Sequence, residues 1–295
     1  MTNPPLPLLL VLPLLLAAAP VAKPLLLPAD GALAGIVNDR PARLAIEPSA
    51  PSVPVFNPGF VTASGWGPGL FGGQAKIGRT IIKGQTGVQA FTLAGVSFKR
   101  RSTWFGRDIV PGFDGAIGPA AVPQPVIRYQ LRAAAAGERE TRLPLFDLGS
   151  NGIGTLVTID ATPVPVMFSL MTADSVATAA AGSVLAAGQD GHFNGPRRTI
   201  DVRLGVMRPV RTMALGKPLA IGPLTIASVL VRVGENGEPD NSLADDADPS
   251  EIVVTASRPS RVKPFYRIVL GHAELQRCSS LTIDKPAKQI ILSCG

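Results

Sequence analysis

The sequence predicts an all-β protein built from two similar halves. Three observations carry that expectation. Gly (31) and Pro (29) make up about a fifth of the 295 residues and punctuate the chain closely. Between them lie short apolar or alternating runs bounded by Gly, Pro or Asn, the pattern of strands in a sandwich or barrel. The pattern of the first half recurs in the second. A hydrophobic content of 46% with only 17% charged residues excludes a wholly disordered chain.

Residues 1–22 read as a secretory signal peptide. Leu8 to Leu16 form an apolar run, followed by Ala17, Ala18, Ala19 and then Ala22 before the first charge, Lys23. The run is shorter than the roughly 20 apolar residues of a membrane span, so the expected location is the periplasm or the exterior. Residues 23–42 are Pro-rich and are expected to form an irregular lead-in. The first half then covers 43–148, with strand runs at Thr80–Ile82 and Val88–Leu93. The second covers 149–295, with runs at Leu156–Ile159, Thr199–Leu204 and Ile226–Val233. Leu148 to Gly154 is the turn-rich boundary. Short helices are expected within Asp174–Ala187 and Pro125–Ala136.

The formal net charge is +7, yet Glu235 to Glu251 holds seven acids and no base, leaving +14 on the remainder. Residues 234–260 are therefore read as a flexible acidic loop. The basic clusters Lys99-Arg100-Arg101 and Arg197-Arg198 are scattered and lack interleaved aromatics, so they read as solvated faces and no nucleic-acid partner is expected. Two histidines, His192 and His272, give no metal site, and the absence of a Gly-x-Ser-x-Gly elbow or a phosphate loop gives no cofactor. Cys278 and Cys294 flank two strand runs, Leu281–Asp284 and Gln289–Leu292, joined by a turn at Lys285–Lys288. In a hairpin they stand nearly opposite and can form a disulfide; the alternative is a pair of buried thiols.

Two echoes link the halves. Ser52-Val-Pro-Val-Phe56 matches Pro163-Val-Pro-Val-Met-Phe168, and Ala116-Ile117-Gly118 matches Val269-Leu270-Gly271. With the hairpin at Leu215–Ile226 and the closing hairpin at 281–292, the order of these pieces resembles the retropepsin-like and pepsin-like aspartic peptidases over residues 43–295. The resemblance implies two acid-protease-like lobes, each opening into an Asp-Thr-Gly loop braced by a hydrophobic-hydrophobic-Gly segment. It also implies a peptide-binding cleft between them. In this sequence Asn57-Pro58-Gly59 and Met171-Thr172-Ala173 are read at the two loop positions, so Asn57 and Met171 replace the catalytic aspartates. No Asp lies between Asp39 and Asp108, and the only acid there is Glu47. The expectation is a non-catalytic protein binding a peptide or protein partner in the cleft.

Two alternatives stand beside it. An active peptidase would use a slipped loop at Asp174-Ser175-Val176, although Asp174 also reads as an N-cap for the following helix. A docking module would act through Glu251-Ile-Val-Val-Thr-Ala-Ser-Arg258, which is similar to the energy-coupling box of TonB-dependent receptors and would pair with an envelope protein as an added strand. The plainer reading of that segment is an ordinary strand. Asp114, in Phe-Asp-Gly, reads as a turn residue.

Overall fold

A computed structural model describes residues 23–67, 69, 71–77, 80–233 and 264–295. Residues 1–22, read above as a signal peptide, the acidic run and the 251–258 segment lie outside these residues. The chain is all-β, with 56% of the described residues in strands and 11% in helices.

The first half runs β1 (Leu25–Leu27), β2 (Ala32–Val37), β3 (Arg40–Ile46), β4 (Val55–Phe56), α1 (Pro58–Ala63), β5 (Phe71–Ile77), β6 (Thr80–Leu93), β7 (Val96–Phe105), β8 (Gly115–Ile117), β9 (Val126–Gln130) and β10 (Arg139–Pro144). The second runs β11 (Phe146–Asp147), β12 (Ile153–Ile159), β13 (Thr162–Phe168), β14 (Val176–Ala177), α2 (Ala179–Gly188), β15 (Gly191–Arg203), β16 (Val206–Ile221), β17 (Leu224–Arg232), β18 (Ile268–Leu270), α3 (His272–Leu275), β19 (Cys278–Asp284) and β20 (Gln289–Cys294). Two-residue hairpin turns at Asn38-Asp39, Ala94-Gly95, Asp160-Ala161 and Leu204-Gly205 take positive φ at both positions, the twist that tight hairpins require.

The strands form three sheets. In the first half β2, β3, β8, β4, β7 and β6 close into a six-stranded barrel through the β2–β6 pairing, with β5 added outside β6. The second half forms an eight-stranded sheet in the order β11-β12-β13-β18-β14-β17-β16-β15. A five-stranded sheet, β1-β9-β19-β20-β10, takes strands from both halves. One apolar core runs through all of this and includes Leu44, Ile46, Phe56, Ile117, Phe168, Leu270 and Leu281. Burying such side chains contributes about 1.5–3 kcal/mol each before entropy is counted.

Two expectations are corrected. Residues 23–42 are not irregular: they hold β1, β2 and the start of β3, because Pro24 and Pro28 flank β1 and leave its ladder intact. Pro125–Ala136 is not helical; Val126–Gln130 pairs with both β1 and β19. The helix expected within Asp174–Ala187 forms as α2, and Val176 and Ala177 before it are drawn into the sheet between β17 and β18. The closing hairpin forms as expected, with Cys278 opposite Cys294 and a disulfide between them. No helix among the described residues is long and apolar enough to cross a membrane.

Candidate functional site

One strand crossing occurs twice, rung for rung. In the first half β3 runs parallel to β8 (Ile46 with Ile117), β8 runs antiparallel to β4 (Ala116 with Val55), and β4 runs parallel to β7 (Val55 with Thr103). In the second, β13 runs parallel to β18 (Phe168 with Leu270), β18 antiparallel to β14 (Val269 with Val176), and β14 parallel to β17 (Val176 with Leu230). The bonds that extend the crossing match as well. Glu47 N donates to Ile117 O at 3.0 Å and Ser169 N to Leu270 O at 2.8 Å; Asn57 N donates to Asp114 O at 2.9 Å and Thr178 N to Arg267 O at 3.0 Å.

This register assigns the equivalent positions. Glu47 and Ser169 are the first residues beyond the equivalent strands β3 and β13. Asn57 corresponds to Thr178, since each precedes its helix. The expected pair, Asn57 and Met171, is therefore not a symmetric pair. The Val-Pro-Val echo had set the wrong register: 163–168 lies on β13, the counterpart of β3, whereas 52–56 leads into β4.

Glu47 is buried (4% exposed), and its carboxylate is fully engaged. Oε1 accepts from Ser49 N at 3.2 Å and from Ser49 Oγ at 2.6 Å, while Oε2 accepts from Leu170 N, in the opposite half, at 3.0 Å. Ser169 Oγ accepts from Met171 N and Thr172 N, both at 3.2 Å. Burial pushes the Glu47 carboxyl above the usual range, and hydrogen bonds from Ser49, Leu170 and Ser169 only partly oppose it. The buried Tyr129 phenol is pushed up by its own burial and then by the Glu47 charge.

The hydrophobic-hydrophobic-Gly segments brace both loops. A Cβ on Gly118 would stand 2.5 Å from Pro51 O, and one on Gly271 would stand 2.2 Å from Ala173 O. Only glycine permits that approach.

The remaining predicted residues are placed elsewhere. Asn57 Oδ1 accepts from Ile109 N (2.8 Å) and Val110 N (3.1 Å), and its Nδ2 donates to Val110 O and Phe113 O (both 2.8 Å), so it fastens the 109–113 loop. Met171 packs on the first-half cluster of Ala45, Ala50, Val110 and Ala116. Asp174 is exposed and ion-paired to Arg198 at 2.8 Å; the N-cap of α2 is Thr178, whose Oγ1 accepts from Ala181 N at 3.3 Å. Asp114 Oδ2 accepts from Arg43 N at 2.7 Å. No group of three or more His, Cys, Asp or Glu able to hold a metal occurs among the described residues.

Two hairpins meet beside this junction. Ile77 pairs with Thr80 at the tip of β5–β6, as Arg203 pairs with Val206 at the tip of β15–β16. Arg208, 2% exposed, donates from Nη2 to Ile77 O (3.0 Å) and Thr80 Oγ1 (2.6 Å). Ile77, Ile82, Phe105, Val202, Leu204 and Val206 share one apolar cluster between the tips. A groove of about 410 Å³ lies between α1 and the β6–β7 pair, lined by Pro58, Val61, Gln85, Trp104 and Phe105.

Sequence reasoning missed the Glu47–Ser169 pair. The available signal was a strand run, Arg43-Leu-Ala-Ile46, ending directly on the only acid between Asp39 and Asp108. Compared with known protein families and with curated proteins, the chain gives no match.

Proposed function

We propose that this chain is an exported protein of the aspartic-peptidase type that has lost its catalytic pair and holds an extended peptide or partner strand between its two halves without cutting it. The observation that carries this reading is Glu47 opposite Ser169 at symmetric positions, with both carboxylate oxygens taken by N–H and O–H donors. Peptide hydrolysis of this type needs two carboxylates that share one proton around a water. One buried carboxylate facing a hydroxyl cannot divide a proton that way. The doubled strand crossing, the bracing glycines and the paired hairpins support the aspartic-peptidase comparison, and the groove beside Trp104 offers an extended ligand an apolar wall. The exposed, ion-paired Asp174 gives no support to a second catalytic loop.

The test is proteolysis of a denatured protein by the chain from Lys23, between pH 3 and 7, with and without pepstatin, beside a peptide-binding assay on the same sample. Binding without cleavage is expected. Pepstatin-sensitive cleavage would overturn the reading.

A further inference from the structure

The groove between α1 and the β6–β7 pair joins an apolar wall to an uncompensated positive charge. Residues 48–107, which supply all three elements, hold seven Lys or Arg and no Asp or Glu. Within them, Lys83, Gln85 and Trp104 share one face of β6–β7. Gln85 stands opposite Trp104 in the register, and Lys83 lies two residues back along the same strand. The alternate residue Ile82 turns the other way and joins the apolar cluster between the hairpin tips.

Trp104 is held from behind. Trp66 meets it edge-on at 5.5 Å and itself packs against Phe56 and Phe60. Val61 and Phe105, both buried, complete the apolar wall. A ring entering here meets a preformed aromatic surface, so little of the chain's own freedom is lost on binding. Lys83 is exposed and lines the groove, and no ion pair or hydrogen bond engages its ammonium among the described residues. The Gln85 amide and the Thr62 hydroxyl on α1 are unengaged in the same way. Lys83 and Trp104 are diagonal neighbours, with Cβ atoms about 7–8 Å apart, so one short peptide segment reaches both. At about 410 Å³ the groove lies near the lower end of ligand sites, about 300–1,000 Å³, which suits one large side chain and the backbone around it.

We propose that this groove selects a peptide carrying an aromatic side chain next to an acidic one, with Trp104, Val61 and Phe105 taking the ring and Lys83 the carboxylate. It rests on the reading above in taking the ligand to be a peptide, and adds the sequence that the groove prefers. Thr62 and Gln85 are left to bond the peptide's backbone. The absence of any acid from 48–107 makes the choice of an anion one-sided, since a basic peptide would meet only like charge.

The chain's two tryptophans, Trp66 and Trp104, both belong to this wall, so their fluorescence reports its occupancy. The blocked peptides Ala-Asp-Phe-Asp-Ala, Ala-Asn-Phe-Asn-Ala and Ala-Asp-Ala-Asp-Ala are titrated into the chain from Lys23, Lys83→Gln and Thr62→Phe. Both substituted positions are exposed, and circular dichroism checks that the variants fold. The first peptide should bind roughly three- to fivefold tighter than the second, the range of an exposed ion pair, and at least about tenfold tighter than the third. Lys83→Gln should erase the first preference and keep the second, while Thr62→Phe, which puts a ring of its own in the groove, should weaken binding of the first peptide at least about tenfold. Equal binding of the Asp and Asn peptides overturns the inference, as does an Asp preference that survives in Lys83→Gln, or binding of none of the three. The denatured protein of the proteolysis test separates this inference from the cleft reading. If the parent and both variants hold it equally while the pentapeptides fail, the groove inference alone falls. If the pentapeptides bind as expected and the denatured protein is not held, the cleft reading alone falls.

Discussion

The Glu47 carboxylate accepts the backbone N–H of Leu170 across the junction of the two halves, at 3.0 Å. The carboxylate here serves as a bond between the halves. Glu47→Ala removes the acceptor for Leu170 N and for both Ser49 donors and opens a void, so it should cost about 2–4 kcal/mol. Glu47→Gln keeps the volume but turns N–H toward donors on one side, and should cost about 1–3 kcal/mol. Urea denaturation of the two variants beside the parent chain measures both.

The same residue makes stability depend on pH. Its folded pKa is raised by burial, so the folded chain holds the proton more tightly than the unfolded chain does. Its contribution is fully present below the unfolded value, near 4.5, and is lost as pH rises through the higher folded value. The groups that face it are Ser49, Ser169, Leu170 N and Tyr129. The stability of the parent relative to Glu47→Gln should therefore fall as pH rises above about 4.5. A flat difference above that value would place the carboxyl in an ordinary environment.

Gly118 and Gly271 offer a matched pair of tests. Gly118→Ala and Gly271→Ala would each force a methyl against a loop carbonyl, at a cost of about 1–3 kcal/mol. Gly59→Ala, in α1 with open space around the new methyl, should be neutral or stabilise by about 0.5–1 kcal/mol. Thermal melts of the three variants compare the junction glycines with a helix glycine directly.

Arg208 ties one hairpin tip to the other. Arg208→Met keeps the apolar stem and removes the bonds to Ile77 O and Thr80 Oγ1. Amide exchange in β5–β6 should accelerate several-fold, with little change in the β19–β20 hairpin. Equal acceleration in both regions would show global destabilisation instead of a released clasp.

The disulfide closes a loop of 16 residues at the open end of β19–β20. Replacing Cys278 and Cys294 by Ala should cost about 2–3 kcal/mol, the chain-entropy value for a loop of that size. The loss should appear in urea denaturation without any change in strand content.

Some of this was legible in the residues and some was not. The closing hairpin could be read because its parts are neighbours: two alternating runs, a turn at Lys285–Lys288 and flanking cysteines fix one register locally. The hydrophobic-hydrophobic-Gly segments also recur where the structure brings them into equivalent places. The register of the first loop could not be read that way. Val-Pro-Val at 53–55 and at 164–166 share letters but lie on strands that are not counterparts. The helix within Asp174–Ala187 could be read from its Ala-rich composition, but not that Val176 and Ala177 just before it would pair with β17 and β18.

By itself the sequence determined the all-β class and the closing hairpin with its paired cysteines, since these follow from composition and from residues close together in the chain. Tertiary structure alone decided that Glu47 meets Ser169 and Leu170 across the junction of the two halves. Those facts depend on parallel rungs such as Ile46 with Ile117 and Phe168 with Leu270. The two-residue period of a strand records which face is buried, and carries no record of which distant strand lies beside it.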